Sequence, residues 1–263
     1  MNPPDERRIR LTLHYDGGAF FGWQIQPATR TVQAELEAAL ARLLDRPVRT
    51  AAAGRTDRGV HARGQVVTFD APPKWSPAAL QRALNAVLPD DVWVESASEA
   101  EARFHARFSA TAREYEYRVG TAASARSPFH DRWCWALLEP LDRVLLDASA
   151  ARIVGDHSFR AFAKAGQEHR GDRCIVHSAT WSEWEAGPCL TIRANRFLHH
   201  MVRYLVGTMV DIARGRRDIA ELDRLLAGDT SLDTSPPAPA QGLFLTHVDY
   251  DAPDPEPAEN PDG

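Results

Sequence analysis

A chain of 263 residues, 44% hydrophobic and 25% charged, is long enough for one large or two small domains with a sizeable core. It contains no run of about eighteen apolar residues, and the opening MNPPDERRIR is polar. A membrane span and a secretory leader are therefore not expected, and the predicted location is the cytoplasm. The formal charge of -5 argues against a polyanionic partner only until it is located, because Asp251, Asp254, Glu256, Glu259 and Asp262 of the last stretch, DAPDPEPAENPDG, account for all of it.

Arg8 to Tyr15 alternates polar and apolar residues as a half-buried strand does, and Asp16-Gly17-Gly18 ends it. Val32, Leu36, Leu40, Leu43 and Leu44 recur at helical spacing behind Thr31 as N-cap, and Pro47 closes that helix. A short segment from Val48 to Ala53 leads into a loop rich in glycine and arginine. A strand over Gln65 to Phe69, a helix from Pro77 through Leu88 and a strand over Val92 to Ala97 follow. In the second half Arg113 to Val119 reads as a strand with Tyr115, Tyr117 and Val119 on one face, and Trp133 to Leu138 as a segment pairing beside it. Leu141 to Val154 reads as a helix, Ile175 to Trp184 and Cys189 to Ala194 as a hairpin, Phe197 to Arg214 as the longest helix, and Leu243 to Tyr250 as the closing strand. The expectation is an α+β protein of two related ferredoxin-like or RRM-like βαββαβ halves, residues 8–105 and 106–250, whose mostly antiparallel sheets meet at a central cleft. Thr121 to Asp131 and Ala163 to Arg173 are expected to be polar, mobile loops, Gly228 to Gly242 a stiff connection, and residues 251–263 a disordered acidic tail.

Cys134, Cys174 and Cys189 are odd in number and lack Cys-x-x-Cys spacing, so reduced thiols are expected. The tryptophans are assigned to the core. All of the 31 basic residues except Lys74 and Lys164 are arginine, whose flat guanidinium grips phosphate and stacks on bases, although an arginine-rich codon preference is the favoured cause of the ratio. Position matters more than number. The segment Ala53-Gly54-Arg55-Thr56-Asp57-Arg58-Gly59-Val60-His61-Ala62-Arg63-Gly64 sets one carboxylate among three arginines and a histidine. Flanking positive charge favours the ionised form, so Asp57 is an anion suited to act as nucleophile or base; an Asx-turn with a salt bridge is its structural alternative. With no second carboxylate nearby and arginines to repel a cation, no metal is expected there.

Gly54 to Ala62 resembles the active-site motif of the tRNA pseudouridine synthases of the type A branch. Tyr15-Asp16-Gly17, Phe21-Gly22-Trp23-Gln24, Phe104 to Ala110, Arg113 to Tyr117, Asn195 to Arg203 and Gly242 to Leu245 are similar to further segments of that family, so the resemblance runs over residues 8 to 250. The family has alanine where this chain has Arg58, an extra cation that either touches RNA phosphate or, as expected here, pairs with a surface carboxylate.

The resemblance implies isomerisation of uridine to pseudouridine in the anticodon arm of tRNA, with tRNA as partner, a homodimer, and no cofactor, nucleotide or metal. This agrees with the lack of a P-loop or a dinucleotide-binding turn in the sequence. It makes Asp57 the catalytic aspartate, which either adds covalently to sugar or base or removes a ribose proton. Arg55 would brace the position vacated by the flipped nucleotide, and Tyr115 would stack on the uracil, its alternative being a core tyrosine. Arg196, His199, His200 and Arg203 fall on one face of the long helix, a face that is either solvated or meets an anion, and Arg203 would form an ion pair with Asp57. Arg103, His105, Arg107 and Arg113, and Arg214, Arg216 and Arg217, are further candidates for phosphate contact, the last three equally for the helix dipole. The competing readings are a noncatalytic RNA-binding protein on the same scaffold and a hydrolase, which would need a second carboxylate in the cleft.

Overall fold

The computed structural model describes residues 6–164 and 171–251. The acidic tail past Asp251 and the middle of the 163–173 loop, with His169 and Arg170, lie outside the described residues. The first half runs β1 (Arg7–Tyr15), α1 (Val32–Leu44), β2 (Ala51–Ala52), β3 (His61–Ala71), α2 (Pro77–Val87) and β4 (Val92–Glu99). The second runs β5 (Ala110–Gly120), β6 (Trp135–Ala136), α3 (Arg143–Arg152), β7 (Gly155–Ser158), β8 (Arg173–Trp184), β9 (Gly187–Ala194), α4 (Met201–Ala213), α5 (Ile219–Leu226) and β10 (Leu243–Tyr250). No described helix is long and apolar enough to cross a membrane.

The α+β class and the mostly antiparallel pairing hold, but the two expected sheets are one. The strands lie in the order β4-β1-β3-β10-β5-β9-β8-β7, with β2 on β3 and β6 on β5. Within this sheet β4-β1-β3-β2 and β10-β5-β9-β8 repeat a single arrangement, in which the fourth strand lies beside the first and the third beside the second. The seam is β10, which pairs antiparallel with β5 and parallel with β3 through Phe244↔His61 and Leu245↔Ala62.

Alternation on β1 buries Ile9, Leu11, Leu13 and Tyr15 against Leu36 and Leu40 of α1 and Leu80 and Leu84 of α2, and one apolar core continues into the second half through Tyr117, Ile192, Leu205 and Met209. Thr31 caps α1 by accepting from the Ala34 N–H, a contact worth about 1 kcal/mol. The 228–242 connection packs on α4 where Gly207 allows it, since a Cβ there would stand 2.2 Å from the Pro236 carbonyl oxygen. Thr121 to Asp131, expected as mobile loop, holds the 3-10 turn Ala123–Arg126, leads into a second at Asp131–Trp133, and buries Ala125 against Cys134. All three cysteines are free and buried. Trp93 departs from the core assignment at 48% exposed. Arg214 and Arg217, candidates for phosphate contact, are paired with Glu139 and Glu221.

Candidate active site

Both β2 and β10 lie on the same edge of β3, at different levels. β2 pairs with Val67 and Thr68, and β10 with His61 and Ala62, because β1 occupies the other edge throughout. The chain between β2 and β3 therefore leaves the sheet at a fork, and this is the loop that carries Asp57. Its backbone is fixed from several sides. The Trp23 N–H donates to the Thr56 carbonyl (3.0 Å), the Gly59 N–H to the Phe20 carbonyl (3.3 Å), the Val60 N–H to the Asp57 carbonyl (3.1 Å), and Gln65 Nε2 to the Gly54 carbonyl (2.7 Å). The Tyr15 and Thr56 hydroxyls are 2.7 Å apart. Gly22, at φ +93°, permits the approach of the second loop, since a Cβ there would sit 2.7 Å from the Thr56 carbonyl oxygen.

Among the described residues the partners of Asp57 are two histidines. His199 Nε2 lies 3.0 Å from Oδ1 and His200 Nε2 3.5 Å from Oδ2, with the Asp57 side chain 21% exposed. This corrects the expected helix. α4 begins only at Met201, and the residues before it form a turn in which His200 adopts φ +66°. The apolar pattern misleads because Leu198 and Phe197 pack on the core from that turn without being helical. Arg196, His199, His200 and Arg203 thus share no helix face. Arg196 donates to the Gly171 carbonyl (3.3 Å). Arg203 forms no ion pair with Asp57 among the described residues. Its Nε donates to the Ala238 carbonyl (2.7 Å), while its own carbonyl accepts from the Ala238 N–H (2.9 Å). The carboxylate held by an arginine in the sequence reading is held here by imidazoles.

Tyr115 of β5 is buried, its ring edge-on to Phe197 at 5.0 Å. Burial, then the neighbouring Tyr15 and the Asp57 charge, push its phenol well up despite Arg113, so the hydroxyl remains a proton donor at neutral pH. Arg55 is exposed, with no hydrogen bond or ion pair among the described residues. Arg58 pairs with no carboxylate among the described residues; its guanidinium lies 4.3 Å over the ring of Phe21, which is itself 41% exposed. Arg113 is not free for phosphate. Its guanidinium donates to the carbonyls of Ala53 (2.9 Å), Arg107 (2.9 Å), Asn195 (3.1 Å) and Ala110 (3.2 Å), tying the start of the Asp57 loop to the start of the histidine turn. A cavity of about 690 Å³, lined in part by His61, Arg63, Arg118, Trp133 and Trp184, contains neither Asp57, Tyr115, His199 nor His200.

His61, within the motif, is structural. It stacks on Phe244 at 4.8 Å and accepts at Nδ1 from the Gly17 N–H (3.0 Å). Burial lowers its imidazole below the ordinary value, partly offset by Asp16 at 3.1 Å. In the window between the unfolded and folded values the folded chain binds fewer protons than the unfolded one. The stability this lends is therefore whole above about pH 6.5 and is lost as the pH falls from there through the lower folded value. Wild type is expected to lose more of its thermal midpoint between about pH 7.5 and 5.5 than His61→Gln does. Equal losses would contradict this.

The chain matches the family described as tRNA pseudouridine synthase over residues 12–109 and 149–251. The tRNA pseudouridine synthase A of Chlorobium luteolum is 42% identical over 245 residues, 93% of this chain and 96% of that protein. The proteins of the same name from Geobacillus kaustophilus and Geobacillus sp. (strain WCH70) are 43% and 40% identical, each over 93% of this chain. A match that spans both halves of the sheet and the Asp57 loop, with relatives this similar along nearly their whole length, leaves one assignment: the chain belongs to the tRNA pseudouridine synthase family.

Proposed function

We propose that the chain isomerises uridine to pseudouridine in tRNA, on the 3′ side of the anticodon arm, with Asp57 as the catalytic carboxylate. The observation that carries this reading is Asp57 itself, fixed by its loop, met by two imidazoles and still open to solvent. In the reaction the N1–C1′ bond breaks, the uracil turns and C5 joins C1′. C5 gives up its proton and N1 takes one, so the atoms balance without a redox partner. Covalent attack and removal of a ribose proton both need an ionised carboxylate with an accessible lone pair. A noncatalytic RNA-binding scaffold has no use for a carboxylate so fixed.

The target base must leave its stack to reach Asp57. Arg55, exposed and without a partner among the described residues, is suited to brace the vacated position, and Tyr115 to receive the uracil. Arg203 serves from behind, holding the 228–242 connection through Ala238. The halves 8–105 and 106–250 each supply part of the site, Asp57 from the first and Tyr115, His199 and His200 from the second. The partners in this reading are tRNA and a second copy of the chain, in the cytoplasm.

The test is to incubate the protein with an unmodified tRNA transcript, without added metal or nucleotide, and map pseudouridine by position. Product confined to the 3′ side of the anticodon arm is expected; tRNA bound but unmodified would favour the binding-protein reading. Tyr115→Leu should lower kcat/KM by about ten- to a hundredfold, the worth of a base–aromatic stack, and Tyr115→Phe by less. Equal turnover by all three proteins would remove Tyr115 from the uracil.

A further inference from the structure

Asp57, His199 and His200 bring three ligand atoms of different side chains together, all within 4.8 Å of one another. His199 Nε2 stands 3.0 Å from Oδ1 and His200 Nε2 3.5 Å from Oδ2, near the spacing of about 3.3–3.6 Å between ligands standing about 2.0–2.2 Å from a tetrahedral zinc ion. Consecutive residues of a helix diverge by about 100° and cannot aim at one point. Here the left-handed backbone of His200 breaks the helix and turns both imidazoles onto one carboxylate, their rings 4.2 Å apart. A histidine held at φ +66° is strained, and such strain persists where the surroundings impose it, often at functional sites. The side chains of Asp57, His199 and His200 are 21%, 35% and 19% exposed, so an aquated ion can reach them and keep water in its remaining position.

We propose that Asp57, His199 and His200 form a binding site for a divalent metal of the zinc class, and that an ion bound there shuts off the uridine reaction by occupying the Asp57 carboxylate. Two imidazoles and a carboxylate suit such an ion better than magnesium or calcium, which take oxygen ligands. The ion inhibits because the lone pairs it takes are those the reaction requires. The inhibitory half rests on the reading of Asp57 as the catalytic group; the binding half does not.

The full chain, freed of metal by chelation and dialysis, is titrated with Zn²⁺, and with Co²⁺ as a visible probe, in the absence of tRNA. One ion per chain is expected, with Co²⁺ absorption that Zn²⁺ displaces. Asp57→Asn, His199→Asn and His200→Asn should each weaken binding by at least about tenfold, with circular dichroism confirming that each variant folds. No stoichiometric binding, or equal binding in all three folded variants, overturns the proposal. In a second arm, saturating Zn²⁺ should lower pseudouridine formation at least about tenfold, and chelation should restore it. Undiminished turnover with the site measured full overturns the inhibitory half. A wild-type chain inactive in metal-free buffer would strike the uridine reading alone, since binding is measured independently of it.

Discussion

Asp57→Asn is expected to lower the rate of pseudouridine formation by at least about a thousandfold, the scale set by loss of an essential nucleophile or base. Affinity for tRNA should remain within about threefold. The two effects separate because the substitution is isosteric and the loop is held by other groups. The contacts from Trp23, Gly59, Val60 and Gln65 go to backbone atoms that asparagine leaves in place. The amide oxygen can still accept from the His199 Nε2, 3.0 Å away in the wild type. What is lost is the anion. Single-turnover rates and equilibrium binding of the same transcript provide the measurement. A variant that keeps wild-type turnover would take Asp57 out of the chemistry, and one that loses affinity in proportion would make it a binding residue.

Arg113→Met should be the most damaging substitution outside the carboxylate. One half-buried guanidinium serves four carbonyls from separate segments, and methionine fills similar volume with no donor. Stranding those oxygens costs about 1–3 kcal/mol for each that water cannot reach, so a loss of at least about 2–3 kcal/mol of folding stability is expected. The functional effect follows from which segments are tied. Ala53 leads into the Asp57 loop and Asn195 into the histidine turn, so releasing both lets the carboxylate and its imidazoles drift apart, and kcat should fall more than KM rises. Arg113→Lys, with a point charge in place of a planar fork, should restore only part of either property. Denaturation midpoints and steady-state kinetics of the two variants measure this. A variant of normal stability and kcat but weakened tRNA binding would return Arg113 to the phosphate contact expected from its sequence position.

The elements built on strong periodicity were readable from sequence. Helix α1 with its Thr31 cap and strand β10 match the spans expected from apolar spacing alone. The four-residue strand β7, Gly155–Ser158, was not, since Gly-Asp-His-Ser has no apolar alternation and is a strand only through pairing with β8. The single sheet was hidden for a related reason, because the insertion of β10 beside β3 depends on two pairs formed across about 180 residues of chain, which no local pattern encodes. At the site, the motif around Asp57 pointed to the carboxylate and the loop. The resemblance offered Arg203 as its partner, and the histidines were assigned to a helix face because Phe197 and Leu198 continue the helical spacing of α4 while packing from a turn. The His199-His200 pair directly before α4 was the available signal, and the left-handed φ of His200 turns it towards Asp57. Arg113 reads from sequence as one basic residue among many; its role appears only when four distant carbonyls converge on it.

The most direct test of the central claim follows the hydrogen on C5, because a C5–C1′ bond cannot form unless that hydrogen leaves. A tRNA transcript carrying tritium at C5 of its uridines is mixed with excess wild-type chain or Asp57→Asn in metal-free buffer. Wild type should release tritium to water in step with the pseudouridine mapped in the anticodon arm, while Asp57→Asn binds the transcript and releases none. Tritium retained by wild type on fully bound tRNA, or released equally by the variant, would contradict an Asp57-dependent uridine isomerase.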